Sequence, residues 1–365
     1  MAYPARAMAS ATTLEHLLAA LLLAALSALL TWAMIRVPIF DRPNARSSHA
    51  RPVPRTGGIA IVATFLAGLA ALAAWSGEPR PDAALLGGFA ASLLVVAAFG
   101  FADDLGRLGF KTKLAGQLAA AAIFLAAGGV VRELHLPGAG TVALGAWGYA
   151  ATALWLVAIA NMVNFMDGLD GLAGGTGVVA AAAFALAAGL SGETFAAGLA
   201  LALAAACAGF TLFNAPPARV FMGDAGSQFL GFALAALAVI ASGHETGHNM
   251  AVVMALLLFH FIFDTVWTFA RRLAAGERVT QAHRTHLYQL LNRLGRSHRA
   301  VSLFHAALCL AQGAAAILLV ARPALGFLVF LPFFVFELCY AVWLTRAARR
   351  AGLLPGPRTA AAPPH

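Results

Sequence analysis

Residues 172–213 read LAGGTGVVAAAAFALAAGLSGETFAAGLALALAAACAGFTLF. Two apolar runs, 172–190 and 194–213, flank the turn Ser191-Gly192-Glu193, and Glu193 is the single charge in the stretch. Each run matches the ~20 residues that a helix needs to cross a bilayer. Working outward, nine similar runs lie at roughly 14–35, 57–75, 83–101, 114–131, 147–165, 225–242, 249–270, 300–321 and 324–345, so eleven spans are expected. Composition agrees. The 365 residues are 61% hydrophobic and only 11% charged, with mean hydropathy +0.82, whereas a soluble chain carries about a quarter charged residues. A water-soluble enzyme is excluded. The expected fold is an all-α polytopic membrane protein with one domain over residues 1–350 and a disordered, Pro- and Ala-rich tail over 351–365.

Smaller features fit that frame. The first run follows Arg6 and continues through Trp32 to Ile35, too long for a signal-peptide core, so it reads as an uncleaved helix. Residues 131–148 alternate around Pro137-Gly138 and predict a short β-hairpin on the outer side. Cys207, Cys309 and Cys339 are dispersed in apolar runs, which argues for small core residues over a disulfide framework or zinc cluster. Placing the N-terminus outside puts 20 of the 24 Lys and Arg on the cytoplasmic side, leaving Arg6, Arg80, Arg132 and Arg322 outside. The positive-inside rule demands such a split. Topology therefore explains the net charge of +9 without a nucleic-acid partner, and the cytoplasmic face suits anionic lipids and phosphorylated ligands.

The same orientation gathers Asp41, Asp103, Asp104, Asp167, Asp170, Asp224 and Glu277 at cytoplasmic loops or helix ends, with Asp264 inside a span. Acids at membrane depth are functional candidates by default. Five of them occupy three unusual loops. The first, Phe101-Ala-Asp-Asp-Leu-Gly-Arg-Leu-Gly-Phe-Lys-Thr-Lys113, pairs adjacent acids with Lys111 and Lys113, the two lysines of a chain with 22 arginines. Neighbouring like charges need a cation or proton, and a compact ammonium suits a phosphate oxygen. The second, Asn161-Met-Val-Asn-Phe-Met-Asp-Gly-Leu-Asp-Gly-Leu-Ala-Gly-Gly175, offers Asn161, Asn164, Asp167 and Asp170 as hard oxygens beside glycines that let backbone approach a ligand. The third, Asn214-Ala-Pro-Pro-Ala-Arg-Val-Phe-Met-Gly-Asp-Ala-Gly-Ser227, puts Asp224 and Ser227 at a helix start, a position suited to a metal ligand and a phosphate, or simply to a cap.

These loops, in this order, resemble the polyprenyl-phosphate N-acetylhexosamine-1-phosphate transferases (glycosyltransferase family 4). The family includes enzymes that start O-antigen and teichoic acid synthesis and the phospho-N-acetylmuramoyl-pentapeptide transferases. The resemblance covers about residues 36–290, and the segment Asp41-Arg-Pro-Asn with Arg46, His49 and Pro54-Arg-Thr-Gly-Gly58 also looks like the family's first cytoplasmic loop. It implies transfer of an N-acetylhexosamine-1-phosphate (GlcNAc, FucNAc or QuiNAc type) from a UDP-sugar to undecaprenyl phosphate, with UMP released. The implied location is the bacterial inner membrane, with the active site and C-terminus in the cytoplasm. It further implies that Asn164 and Asp224 hold Mg²⁺ (or Mn²⁺), that Asp103 and Asp104 flank the acceptor phosphate, and that Phe221 and Asp170 seat the uridine. Lys113, Asp167, Arg284 and His286 complete the expected catalytic set, and Asn161, Lys111, Arg46 and His49 the substrate-binding set. Much of a phosphate monoester is already a dianion at neutral pH, its second pKa being near ~6, so a general base is not obligatory and Asp103 reads first as a positioning group.

The loop Ala282-His-Arg-Thr-His-Leu-Tyr-Gln289 bears on subtype. It keeps Arg284 and His286 but has Tyr288 and Gln289 where many relatives carry histidines. The resemblance therefore points to the O-antigen-initiating branch and a 6-deoxy sugar donor. Membrane lipids are expected partners, and a homodimer is an open alternative. Two rival readings have sequence support. His244-Glu-Thr-Gly-His248 with Leu169-Asp-Gly171 resembles an intramembrane zinc protease, although the first motif lies in a Gly-containing outside loop and the second on the opposite face. Asp264 and Glu337, inside spans, would suit a transporter.

Overall fold

The computed structural model describes residues 3–41, 52–75, 80–136, 140–242, 250–278, 281 and 283–354. The helices are α1 (Tyr3–Met34), α2 (Gly57–Trp75), α3 (Ala83–Asp104), α4 (Phe110–Ala126), α5 (Trp147–Met166), α6 (Leu172–Leu190), α7 (Thr194–Asn214), α8 (Gly223–Ala241), α9 (Met250–Leu257), α10 (Phe259–Ala274), α11 (Leu287–Arg293), α12 (His298–Ala321) and α13 (Leu331–Arg350). Strand β1 (Phe40–Asp41) pairs antiparallel with β2 (Val53–Pro54), and β3 (Glu133–Leu136) with β4 (Gly140–Ala143). The second pair is the hairpin expected around residues 137–138, whose turn lies outside the described residues.

Among the described residues nine helices are long and apolar enough to span a bilayer, ten if α9 and α10 count as one. Two of the expected eleven spans depart from the rest. Helix α4 has 17 residues, the short end of what crosses a bilayer, and runs back from the end of α3 toward the start of α5 as a span must. The ninth run breaks at Leu258, where α9 and α10 meet at 69°. The reason is polar. His260, Asp264, Thr268 and Arg272 recur every fourth residue on one buried stripe of α10, and the bend turns that stripe into protein and away from lipid. The chain is a multi-pass, all-α membrane protein.

Helix α8 is the axis of the bundle, with every residue from Ala225 to Ala241 buried. Water supplies no driving force between helices in lipid, so close backbone approach has to come from small residues. At Gly58 an added Cβ would stand 2.3 Å from the Cα of Gly226, and at Gly231 it would stand 2.7 Å from the Cα of Ala160. Where the helices diverge, edge-to-face rings fill the space. Phe65 meets Phe229 at 5.7 Å and Phe89 at 6.0 Å, while Phe124 meets Phe89 at 6.0 Å and Phe232 at 6.4 Å. Outside, Leu21, Leu22, Leu154 and Leu212 are exposed, as a lipid-facing surface requires. Cys207 and Cys309 are buried as expected, but Cys339 is exposed, which corrects its reading as a core residue.

Because successive spans alternate in direction, the C-terminal ends of α3, α5 and α7 gather with the N-terminal ends of α4, α6, α8 and α12 at one end of the bundle. Contacts across these ends are direct: Asp104 to Asp224, Lys113 to Asn164, Asn214 to Gly171, and Asp170 to His298. The three loops separated in sequence meet there.

The packing of α8 gives a test remote from that end. Gly231→Ala places a methyl against fixed backbone and should destabilise the fold by about 1–3 kcal/mol, read as a lower thermal midpoint in detergent. Gly87→Ala, whose Cβ would meet nothing within 4 Å, should leave the midpoint unchanged.

Candidate active site

The start of α8 is built by a carboxylate from α3. Asp104 is buried, and its two oxygens accept from the backbone N–H of Asp224 at 2.9 Å and of Ala225 at 3.0 Å. Arg55 donates to the carbonyl of Asp104. Gly223 makes the turn into α8 at φ +70°, and a Cβ there would meet Arg55 O at 2.4 Å and Asp104 Oδ2 at 2.7 Å. Asp104 was expected beside an acceptor phosphate. The structure makes it the cap that aims Asp224, with one oxygen on each of two backbone N–H groups at the helix start.

Asp224 thus meets Lys113. The Lys113 ammonium contacts Asp224 Oδ2, and lies 3.3 Å from Asp103 Oδ2 and 3.4 Å from Asn164 Oδ1. Asn164 Nδ2 donates to Asp224 Oδ1 at 3.0 Å and to Ser227 Oγ at 2.8 Å. Four helices therefore supply one cluster: α3 with Asp103, α4 with Lys113, α5 with Asn164 and α8 with Asp224. A buried amide ladder supports it. Gln228 Nε2 donates to Asp224 Oδ2 at 3.3 Å, Gln117 Nε2 to Gln228 Oε1 at 2.9 Å, and Asn161 Nδ2 to Gln117 Oε1 at 2.7 Å. Asn161 therefore reaches the cluster only through Gln117 and Gln228, holding amides in place. Gln117 and Gln228 were missed in the sequence, although two glutamines in apolar helices carry the same signal as the intramembrane acids.

The cluster has the oxygen chemistry of a hard-cation site. Asp103, Asn164 and Asp224 aim two carboxylates and an amide oxygen at one positive centre, and the two acids keep 25% and 27% of their side chains exposed. Such a set, with few protein oxygens and room for substrate, fits a divalent cation of the Mg²⁺ type. Among the described residues no three Asp, Glu, His or Cys side chains form a ready-made metal cage, so the fit depends on the amide.

The carboxylate of Asp167, at the end of α5, has no hydrogen-bond or ion-pair partner among the described residues, while its backbone N–H donates to Asn164 O at 3.3 Å. Burial, and then the charges of Asp224, Asp104 and Asp170, push its carboxyl well above the usual range. Asp170 is differently placed. Burial pushes its carboxyl up, but the His298 ring at 3.2 Å and the Ala218 N–H at 3.0 Å together hold it below the usual range. Ser302 Oγ also donates to its carbonyl at 2.7 Å. Asp170 thus pins the α5–α6 turn to α12 and the 215–219 loop, where a uridine contact was expected. His298 and Ser302 carried no visible sequence signal, since their partner is ~130 residues away and spacing gives no register between distant helices.

The remaining expected residues scatter. Lys111 is exposed at the start of α4, away from the lysine that enters the cluster. Phe221 joins the 52–58 segment by backbone, donating to Pro54 O at 2.7 Å and accepting from Gly57 N at 3.0 Å. Arg46, His49 and the His244–His248 motif lie outside the described residues, as does the tail from residue 355.

The 283–289 loop has a carboxylate cap of its own. Asp264 Oδ1 accepts from Leu287 N at 2.9 Å and lies 3.0 Å from His286 Nδ1, while Oδ2 accepts from Tyr288 N at 3.0 Å. Asp264 is therefore the N-terminal anchor of α11, which removes the need for an ion-relay role. The carboxylate puts the proton on His286 Nδ1 and orients the ring, leaving Nε2 for other partners. His283 stacks on His286 at 4.9 Å, and burial, then the nearby His286, Arg272 and Arg271, pull its pKa down to about 3. Arg284 is half-buried, and its carbonyl accepts from Arg293. Tyr288 and Gln289 depart from expectation. Tyr288 is fully buried, its hydroxyl donates to Phe165 O at 2.9 Å, and Gln289 Nε2 donates to that hydroxyl at 3.1 Å. A Cβ at Gly168 would stand 2.1 Å from the same oxygen. Tyr288 is thus a strut under the α5–α6 turn.

Comparison with known proteins identifies the family. Residues 86–242 match the sequence model of the family described as Glycosyl transferase family 4. A protein of Bacillus subtilis named "Probable undecaprenyl-phosphate N-acetylglucosaminyl 1-phosphate transferase" is 30% identical over 73% of each chain. A "Decaprenyl-phosphate N-acetylglucosaminephosphotransferase" of Mycobacterium leprae is 33% identical over 72% of each. A "Phospho-N-acetylmuramoyl-pentapeptide-transferase" of Geobacillus kaustophilus is 41% identical over 40% of this chain and 50% of its own. The matched span 86–242 contains Asp103, Lys113, Asn164 and Asp224, the four residues that the fold brings together. The chain belongs to glycosyl transferase family 4, the polyprenyl-phosphate N-acetylhexosamine-1-phosphate transferases.

Proposed function

We propose that this protein transfers an N-acetylhexosamine-1-phosphate from a UDP-sugar to undecaprenyl phosphate, releasing UMP and starting a lipid-linked surface polysaccharide. The observation that carries the reading is the convergence of Asp103, Asn164 and Asp224 on Lys113 at one end of a membrane bundle. A lipid phosphate and a soluble nucleotide sugar have to meet at such an interface. The positive-inside balance puts that end in the cytoplasm, where UDP-sugars are made.

Phosphoryl transfer needs positioning and charge neutralisation more than covalent chemistry. Lys113 supplies a fixed positive charge against phosphate oxygens, and Asp103 sets its position. Asp103, Asn164 and Asp224 are the residues that would hold Mg²⁺, with Asp167 nearby as a further carboxylate that lacks a partner. When bound, the ion would neutralise charge on the diphosphate and on the departing UMP. His286, oriented by Asp264, presents Nε2 from the loop that also carries Arg284, a fork suited to diphosphate oxygens. Asp104, Asp170, Tyr288 and the Asn161–Gln117–Gln228 ladder hold this frame and are positioning residues.

The donor is the finer question. A 6-deoxy sugar was expected because Tyr288 and Gln289 stand where many relatives carry histidines, but the buried Tyr288, a strut under the α5–α6 turn, weakens that argument. The relatives' names carry N-acetylglucosamine, so UDP-GlcNAc is the donor we assign ahead of UDP-FucNAc or UDP-QuiNAc.

Purified protein with undecaprenyl phosphate, Mg²⁺ and these three donors should release UMP, fastest from UDP-GlcNAc. Asp224→Ala should lower UMP release by about 10³-fold, the scale of removing a preorganised electrostatic group, while the protein still elutes as a folded species. Near-normal release by that variant would overturn the site, and UMP release from none of the donors would overturn the reaction.

Asp167 gives a pH test. Its carboxyl is raised in the folded protein, so ionisation weakens the fold. That penalty is absent below the ordinary carboxylate range and grows as pH rises toward the raised value. In metal-free protein Asp167→Asn should therefore raise the thermal midpoint at about pH 7.5 and leave it unchanged at about pH 4. A gain of equal size at both values would show that charge is not the cause.

A further inference from the structure

Between α10 and α13, beside the end of the bundle that holds the candidate site, lies a groove of about 370 Å³ lined by Trp267, Arg271, Thr345, Arg346 and Arg349 among others. Three guanidinium groups line it and no carboxylate does. The acids close enough to act on Arg271 are Glu277 and Asp264, and both are engaged elsewhere. Glu277 Oε2 binds Arg272 Nε at 2.8 Å, and Asp264 serves His286, Thr268 and the start of α11. Arg272 and Arg349 meanwhile act against Arg271. Arg346 and Arg349 are exposed, and their side chains make no hydrogen bond or ion pair among the described residues. The Nε atom of Arg271 is buried with no partner among the described residues. The missing component is an anion.

The surroundings identify its source. Trp267 Nε1 donates to Thr345 Oγ1 at 3.3 Å, which gives the groove a polar wall. Val266, Phe269, Leu273 and Trp343, on the same two helices, are large exposed apolar side chains. A free phosphate would satisfy the arginines only. A phospholipid satisfies both parts, with its phosphodiester among the arginines and its acyl chains along the apolar side chains. Arg271 also connects the groove to the candidate site, because its Nη2 donates to Thr285 O at 2.7 Å, next to His286.

We propose that the α10–α13 groove binds the phosphodiester headgroup of an anionic membrane lipid, and that the bound headgroup braces the 283–289 loop through Arg271. The proposal does not depend on the transferase reading, since its test measures lipid and loop and not turnover. Full-length protein is placed in nanodiscs of phosphatidylcholine with or without phosphatidylglycerol. Lipid retention is read by native mass spectrometry, and amide exchange is followed in the peptide spanning residues 283–290. Wild type should retain phosphatidylglycerol over phosphatidylcholine, and phosphatidylglycerol should slow exchange in that peptide. Arg346→Gln with Arg349→Gln should cut retention by about fivefold per arginine removed and abolish the slowing. No lipid preference in wild type, a measurement that needs no variant, would overturn the site. Unchanged retention in a folded double variant would also overturn it. Inorganic phosphate in phosphatidylcholine nanodiscs should leave exchange unaltered. If it slowed exchange as much as phosphatidylglycerol does, the ligand would be the free ion and the lipid assignment would fail.

Discussion

The carboxylate of Asp104 under the first turn of α8 is the contact on which the site depends. A helix start leaves backbone N–H groups without partners, and burying one unsatisfied costs about 1–3 kcal/mol. The start of α8 is buried among α2, α3 and α5, so a side chain must do what water cannot. Asp104 accepts from Asp224 N and Ala225 N, which fixes the direction in which the Asp224 side chain leaves the helix. That direction meets Lys113 from α4 and Asn164 from α5. Lose the cap, and the oxygens lose their common target.

The same device recurs at the second element that bears candidate catalytic groups. Asp264 anchors α11 and orients His286, as Asp104 anchors α8 and orients Asp224. In both places a buried acid is matched by two backbone N–H groups, so its cost in the membrane is offset by hydrogen bonds the helix start needs in any case. The α9–α10 bend then has a clear purpose: it turns the polar stripe of α10 inward so that Asp264 can reach α11. Asp167 is the exception, a half-buried carboxylate among other acids with no partner among the described residues. An acid so placed is suited to a cation that arrives with the substrate.

Much of this was legible in the sequence, for physical reasons. Span length and hydropathy show the bundle, since lipid permits little else, and loops rich in Asp, Asn and Gly mark one polar end. Lys111 and Lys113 stood out together because lysine is anomalous in an arginine-rich chain, but only Lys113 enters the cluster. The roles of Asp104 and Asp264 were not legible, because a cap is defined by the helix it meets, and Asp104 meets α8 120 residues later in the chain. Tyr288 misled for a related reason: sequence shows a residue's chemistry but not which way it faces, and this one faces inward onto Gly168. The break at Leu258 was hidden because hydropathy averages over the polar stripe that causes it. Gln117 and Gln228 were readable in principle, as amides in apolar helices, but neutral side chains attract less notice than charged ones.

The central claim is that Asp103, Asn164 and Asp224 form a cation site now spanned by Lys113. Anomalous scattering from Mn²⁺, in crystals of the full chain grown with a UDP-N-acetyl sugar, tests it most directly. The account predicts one strong peak within bonding distance of Asp224 and Asn164, with the Lys113 ammonium moved toward a phosphate oxygen. A peak elsewhere, such as at His286 or within residues 244–248, with the Asp224 cluster unchanged, would contradict it.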